Sequence, residues 1–469
     1  MTDHDIVSMS ASAISTAVRR QHLSAVQVMQ AFLQRTARLE PLLNTYAHFM
    51  PAEAMAQAEA VDQCIARGED PGPLAGVPVS IKDLIAVGSA PQAFGSRLFA
   101  THIAAADAPS VARLRAAGAC ITGKTTTSEL GSKGVGDSPL TGITRNPWNT
   151  DFTPGGSSAG AASGVAAGLV PVALGTDGGG SIRIPAALCG LSGFKAQYGR
   201  VPVWPASATP GLAHVAPIAR NVQDIALVLS VVAGPDAGDT SSALGPPPDF
   251  QAAVGDPLPT LRVGWCTDFG EGGADDDVLQ ACAAALDRLR ALGCTVVPVS
   301  SWLKTSAVAA FEAEFYSGIA RRIAGLPDAL AKIDPALRKQ VEALQRVPAD
   351  MTQLAADRIA VRLQLQAVFE HVDVLLSPTL PVAGILAGHD APSAWAHCGP
   401  VAWSHFTYAI NLTGNPAASV PAGLSAAGLP IGLQIIGKPC DELTVLRVMA
   451  ALQAADNRFA MSAINLQGD

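Results

Sequence analysis

The sequence predicts an α/β protein with a large mixed, mostly parallel β-sheet covered by helices on both faces. Three observations lead there. Segments of strand character alternate with segments of helical period along most of the chain. Hydrophobic residues make up 49% of the 469 positions and charged residues only 15%, which is enough for a large core. Ala and Gly dominate the apolar share and aromatics reach only 5%, so that core is built from close-packed backbones. Length alone favours two domains. A large sheet with both faces covered can absorb this many residues as one unit, so a single domain over 1–469 is expected.

The elements follow in order. Ser24 and Gln27 have capping-box spacing, and Val28, Phe32 and Leu39 recur at helical intervals, giving a helix over 24–39. Residues 77–83 alternate instead. Val77, Val79 and Ile81 share one face and Ser80 and Lys82 the other, so a strand delivers a lysine opposite its apolar side. Ser110 is a candidate cap for a helix through Ala117, with Gly118 as its stop and a strand at 119–123. An Ala/Gly/Ser helix over 158–168 precedes an apolar strand at 170–175. A Gly-rich turn at 178–180 then leads to Ser181 and a short helix with Pro185 in its first turn. Residues 235–260, rich in Pro, Gly, Asp and Ser, read as a surface connection. Residues 261–300 give strand (261–266), helix (276–292), Gly293 and strand (294–299); 301–371 read as helical and 372–377 as a strand.

Charge and composition exclude several function classes. The formal charge is −8, from 31 basic and 39 acidic residues, and no Lys/Arg run appears, which argues against nucleic acid as a partner. The eight cysteines are scattered without a CxxC pair, so they read as reduced, mostly buried thiols, and no metal site is expected. The first thirty residues lack an apolar signal region, and a cytoplasmic protein is expected. Residues 152–176 and 391–437 carry no charge, but prolines and glycines interrupt both. Neither offers the roughly 20 continuous apolar residues of a spanning helix, so no membrane partner is expected.

The chemistry concentrates in two motifs: Thr153-Pro-Gly-Gly-Ser157-Ser158-Ala-Gly160, and Gly175-Thr-Asp-Gly-Gly-Gly-Ser181-Ile-Arg183-Ile-Pro185. Alone, Gly-Gly-Ser-Ser is a flexible loop, and a Gly-rich turn before a helix can hold a phosphate. The Gly-x4-Gly-Lys-Ser/Thr and Gly-x-Gly-x-x-Gly patterns that would support phosphate are absent. A serine after three glycines at a helix start suits acyl transfer better, because bare backbone N–H groups can converge on one oxyanion. The nine histidines are scattered and no Gly-x-Ser-x-Gly elbow occurs, which disfavours a Ser-His-Asp arrangement. Lys82, on the polar side of its strand, is the remaining candidate base.

These segments resemble the amidase signature enzymes. The likeness runs from Pro73-Leu-Ala-Gly-Val-Pro-Val-Ser-Ile-Lys-Asp83 through Gly123-Lys-Thr and Thr144-Arg-Asn-Pro-Trp-Asn149 to both Gly/Ser motifs. It continues in Gly193-Phe-Lys-Ala-Gln-Tyr-Gly-Arg200, Leu376-Ser-Pro-Thr379, Asn411-Leu-Thr-Gly-Asn-Pro416 and Gly428-Leu-Pro-Ile-Gly-Leu-Gln-Ile-Ile-Gly437. The resemblance covers nearly the whole chain and implies the amidase signature fold. Its core would span about 73–200, with variable helical or pocket segments at about 301–371 and 383–410.

The resemblance implies a Ser-cisSer-Lys triad: Ser181 as acylated nucleophile, Ser157 as bridging serine after a cis Gly156–Ser157 bond, and Lys82 as base. It implies oxyanion donors in the backbone N–H groups of Gly178, Gly179, Gly180 and Ser181, with Ser158, Asp177 and Arg183 in support. Ala159 and Gly178 depart from the residues common in the family, and Gly178 is expected to loosen the oxyanion loop. The implied activity is hydrolysis of small or medium amides, with aryl esters or carbamates as further substrates and no cofactor. The alternative is the glutamine-hydrolysing subunit of a tRNA-dependent amidotransferase. The expected partner is a small-molecule amide, bound by a monomer or homodimer without nucleic acid. Lys124 and Lys195 are expected in surface or loop contacts and Cys189 in the core. Substrate pockets are expected from 125–145, 301–350 and 383–410, where His397 and His405 are candidates for the pocket wall.

Overall fold

Eleven strands form one mixed sheet in the computed structural model, which describes residues 2–459 apart from 244, 271, 305–306 and 347–349. In chain order the strands are β1 (Tyr46–Phe49), β2 (Pro78–Lys82), β3 (Cys120–Thr125), β4 (Asp137–Ser138), β5 (Gly142–Ile143), β6 (Val172–Asp177), β7 (Ser192–Lys195), β8 (His214–Ala219), β9 (Arg262–Trp265), β10 (Thr295–Pro298), β11 (Val374–Pro378), β12 (Ala417–Leu424) and β13 (Pro430–Gly437). The sheet order is β1-β3-β2-β6-β8-β7-β12-β13-β11-β9-β10, and β4 and β5 pair separately. Two parallel blocks stand out: β2 between β3 and β6, and β9 between β10 and β11. The other neighbours in the sheet are antiparallel, so the mixed character is pronounced. The middle of the sheet is antiparallel, and there β12 and β13 are joined only by residues 425–429, too short a connection for a crossover helix.

Both faces are covered, as the burial of alternate side chains shows. Val374 and Leu376 of β11 join the core cluster that holds Leu286, Leu289, Val445 and Met449, whereas Leu375 joins Phe311, Phe406 and Tyr408 on the other side. The same alternation aims the first catalytic candidate. Val79 and Ile81 of β2 belong to the first cluster, so Ser80 and Lys82 point to the opposite face, and both are buried.

Local signals explain most element boundaries. Ser24 caps the helix Ala25–Leu43 in a capping box with Gln27, and Asn44 ends it at φ 53°. The unit over 261–300 forms as expected: β9, the helix Asp276–Ala291, Gly293 at φ 92° and β10 in parallel with β9. The 301–371 segment is helical at Val308–Ile323, Ala329–Lys332, Pro335–Arg346 and Met351–Phe369; its residues 305–306 and 347–349 lie outside the described residues. Residues 460–469 of the expected single domain also lie outside them. Within 235–260, a helix at Phe250–Gly255 buries Phe250 completely.

One cap expectation is corrected. The helix Pro109–Ala116 starts with Ala108 in the cap position and Pro109 at its first turn, so Ser110 lies inside it, buried. Proline's fixed φ and missing N–H suit that first position. Cys120, Cys189, Cys266, Cys282 and Cys294 are buried free thiols. Among the described residues no helix is long and apolar enough to cross a membrane.

Candidate active site

Three segments converge at one edge of the β2–β6 block. These strands are parallel neighbours, with Ile81 opposite Leu174, so Lys82, the last residue of β2, and Asp177, the last of β6, close their strands at the same end of the block. The loop 153–158 reaches the same edge and enters the helix Ala159–Ala166. Glycine is required there: a Cβ on Gly160 would collide with the Thr45 carbonyl. The turn after β6 leads into the helix Arg183–Leu188 and carries Gly178, Gly179, Gly180 and Ser181.

The result is a chain of hydroxyls ending on a buried amine. Lys82 Nζ lies 2.7 Å from Ser157 Oγ, and Ser157 Oγ lies 3.0 Å from Ser181 Oγ. The Gly156–Ser157 bond is cis. Lys82 Nζ also lies 2.9 Å from Ser158 Oγ and 2.8 Å from Thr176 Oγ1. Ser158 Oγ donates to the Thr176 carbonyl at 3.1 Å, so toward Lys82 it accepts. A neutral Lys82 can therefore donate its two N–H bonds to Ser158 and Thr176 and turn its lone pair to the Ser157 hydroxyl, which can in turn accept from Ser181. Full burial drives the Lys82 pKa well below the ordinary lysine value, and the charge of Asp177 opposes this only in part.

A buried ion pair shapes the turn. The Asp177 carboxylate receives the Gly180 N–H at 2.7 Å and Ile182 N–H at 3.3 Å, Arg183 Nε and a terminal Arg183 nitrogen at 3.0 Å each, and Asn411 Nδ2 at 2.9 Å. Arg183 reaches on to Asn411 Oδ1, Gln434 Oε1 and the Thr407 carbonyl. Burial would raise the Asp177 pKa, but the charge and hydrogen bonds of Arg183 outweigh it and hold the carboxyl far below the usual range. Replacing Arg183 by methionine should leave a buried, unpaired carboxylate and cost about 3–5 kcal/mol of stability. Urea unfolding of the variant measures this, and a midpoint equal to the parent would show that the pair does not hold the turn.

Gly180 requires a correction. Its N–H is committed to Asp177, which leaves Gly178, Gly179 and Ser181 as the candidate oxyanion donors. Its own requirement is conformational: φ is 126°, and a Cβ would strike the Thr407 side chain. Gly178 lies outside the left-handed region and has room for a side chain, the nearest atom being 3.4 Å away on Phe315, so here glycine opens the cavity floor.

The cavity in front of Ser181 measures about 330 Å³. Its walls come mainly from 84–108 and 202–215, including Leu84, Phe94, His102, Trp204 and His214, with Leu130 and Phe315 opposite. Of the expected pocket segments, 125–145 and 301–350 contribute; among the described residues none of 383–410 reaches the wall. His405 is instead buried between Trp395 and Phe406, at ring distances of 4.8 and 4.3 Å, and His397 is exposed beside Cys398. Trp204, a lone tryptophan in a Pro/Ala-rich loop, is the one legible hint of the missing wall.

Lys124 and Lys195 are also corrected, since both are fully buried. Lys124 pairs with Asp83 at 3.1 Å. Lys195 donates to the Ala196 and Asn415 carbonyls and lies 3.3 Å from His214 Nε2; burial, helped by repulsion from Arg183, lowers its pKa to about 7.

A protein-family model described as Amidase matches residues 27–446. The chain is 36% identical over 473 residues to the glutamyl-tRNA(Gln) amidotransferase A subunit of Chloroflexus aggregans, covering 95% of this chain and 96% of that protein. The protein of the same name from Geobacter metallireducens is 35% identical over 466 residues, covering 93% and 95%. Among solved structures, a bacterial aryl acylamidase of the amidase signature enzymes superposes with a TM-score of 0.91 at 32% identity, covering 98% of this chain and 99% of that one. A 6-aminohexanoate cyclic dimer hydrolase superposes with a TM-score of 0.88 at 28% identity, covering 97% and 99%.

These relatives overturn the expectation of a monomer or homodimer that meets only a small amide and no nucleic acid. Full-length relatives are named as one subunit of an enzyme whose name carries a charged tRNA. An acidic subunit without a basic stripe does not exclude such an assembly, because another chain can supply the nucleic-acid surface. A mixed eleven-stranded sheet, two Gly/Ser loops meeting a buried lysine at the carboxyl end of one of its strands, and a family match across nearly the whole length lead to one conclusion: the chain belongs to the amidase family, among the amidase signature enzymes.

Proposed function

We propose that this chain hydrolyses carboxamides by acyl transfer to water, with Ser181 as nucleophile, Ser157 as proton relay and Lys82 as base. The observation that carries this reading is the unbroken contact from Ser181 Oγ through Ser157 Oγ to the buried Lys82 Nζ. Ser181 attacks the amide carbon as its proton passes to Ser157 and the Ser157 proton passes to Lys82. The oxyanion draws on the N–H groups of Gly178, Gly179 and Ser181. Lys82 then returns its proton through Ser157 to the departing nitrogen, the C–N bond breaks, and water, activated by the same relay, cleaves the acyl-enzyme. Ser158 and Thr176 hold Lys82, while Asp177 and Arg183 hold the turn. Ser157→Ala should lower kcat/KM by about 10²–10⁴-fold, the scale of a general-base defect. A variant turning over at the parental rate would remove Ser157 from the relay.

Two substrate readings rest on different observations. The relatives favour glutamine: full-length likeness to amidotransferase A subunits supports reading this chain as the glutamine-hydrolysing subunit of a tRNA-dependent amidotransferase. The cavity favours apolar or aryl amides. Leu84, Phe94, Leu130, Trp204 and Phe315 line it, and no carboxylate among the described residues lines it to receive the ammonium of free glutamine. Likeness to an aryl acylamidase points the same way. Ammonia release from glutamine and 4-nitroaniline release from an anilide, each measured for the purified chain, separate them. Glutamine turnover that needs added partner subunits supports the first reading; rapid anilide turnover by the chain alone supports the second. If neither substrate is cleaved and a fluorophosphonate fails to label Ser181, the hydrolase assignment falls.

A further inference from the structure

Arg322 is the one side chain with a permanent charge among the described residues lining the cavity. It stands near the end of the helix Val308–Ile323, two helical turns beyond Phe315. This helix presents a stripe to the site. Phe311 packs where a Cβ of Gly179 would sit, the Phe315 ring faces Gly178, and Arg322 continues the line to the far part of the cavity. The seven-residue step from Phe315 corresponds to roughly 10 Å along the helix axis. The Arg322 guanidinium is 4.8 Å from the centroid of the Phe94 ring, itself part of the wall.

Nothing in the described protein neutralises that charge at close range. No carboxylate among the described residues pairs with Arg322; burial disfavours its charge, and the one charge that acts on it is the neighbouring Arg321. A half-buried cation over an apolar wall, without an anion, is poorly solvated and ready to receive one. Other arginines of this chain have their donors taken up within the protein: Arg183, Arg200 and Arg358 pair with Asp177, Glu442 and Glu314, and Arg113 donates to the carbonyls of Val232, Ala233, Gly234 and Pro235.

We infer that Arg322 forms an anion-recognition subsite, so that the preferred amide carries a carboxylate separated by an apolar spacer from the bond that Ser181 attacks. The inference rests on the hydrolase reading for the identity of the reacting group, and on the cavity alone for the anion. Phe94, Leu84 and Phe315 cover the spacer, and Arg322 takes the carboxylate with the fork geometry of a guanidinium.

The test uses two anilides of matched shape, the mono-4-nitroanilide of adipic acid and the 4-nitroanilide of 6-methylheptanoic acid. Calorimetry measures their binding to Ser181→Ala protein, with and without Arg322→Met or Arg322→Lys, and nitroaniline release measures turnover by the parent. The acid should bind about 10–100-fold more tightly than its neutral partner, as for a hydrogen-bonded charge pair. That ratio should fall to near one with Arg322→Met and recover in part with Arg322→Lys. If Arg322 merely covers Phe94, its variants change the unfolding midpoint and leave the ratio in place, which overturns the inference. Equal binding of acid and neutral anilide to protein that retains Arg322 also overturns it. Acid preference without turnover of either anilide by the parent leaves the subsite standing and removes the anilide reading of the substrate; turnover of both with equal binding overturns the subsite and leaves that reading standing.

Discussion

Ser181→Ala is expected to abolish amide turnover while the chain unfolds at the parental midpoint. The Ser181 hydroxyl faces the cavity, and its one hydrogen-bond partner among the described side chains is Ser157 Oγ, so removing it deletes no packing and adds no volume. The site keeps its oxyanion donors and its base but has no atom to carry the acyl group. Loss of the nucleophile in a hydroxyl-based acyl-transfer enzyme costs on the order of 10⁶-fold in kcat. Nitroaniline or ammonia release gives the rate, urea unfolding shows that the fold is intact, and peptide mass after fluorophosphonate treatment shows the label on Ser181 in the parent alone. Turnover by the variant within tenfold of the parent would place the nucleophile on another residue.

Lys82→Arg is expected to be nearly as damaging, and its signature lies in the pH profile. Lys82 works as a base only when neutral, so kcat/KM rises with pH through the lysine pKa of the free enzyme. Burial lowers that pKa, which moves the rising limb to lower pH and leaves more of the enzyme active near neutrality. A guanidinium in the same place stays protonated across the whole range, and Lys82→Ala leaves nothing to titrate. Both variants should lose about 10²–10⁴-fold at the plateau and show a flattened limb. The check is kcat/KM between about pH 5 and 10 on one anilide, a window spanning the range between a depressed lysine and its ordinary value. A normal rate and unchanged profile for Lys82→Arg would move the base elsewhere, with His214 of the cavity wall the first to test.

The candidate site is legible because its signals are short and local. An alternating strand that puts Lys82 on its polar side, a serine after a pair of glycines and a serine after three glycines each reside in a few consecutive residues. Their convergence needs only the family spacing, and Lys82, Ser157 and Ser181 do meet. Gly180 reads as a donor because all three glycines look alike in sequence. Which amide turns inward depends on the Asp177 carboxylate, and that in turn on Arg183 and Asn411. Lys195 reads as a surface or loop lysine for a related reason: its acceptor, the Asn415 carbonyl, lies 220 residues away.

The sequence by itself determined the alternation of helix and strand, the capped start of the helix at Ala25, the turn chemistry around Ser181 and membership of the amidase family. All of these are carried by nearest-neighbour periodicity and motif spacing. Only the tertiary structure decided which strands pair in parallel, which lysines are buried, and that residues 84–108 and 202–215, rather than 383–410, wall the cavity. The reason is physical. Strand order, the pairing of a buried charge and the shape of a cavity arise from contacts between segments far apart in the chain, and neither partner of such a contact carries a mark of the other.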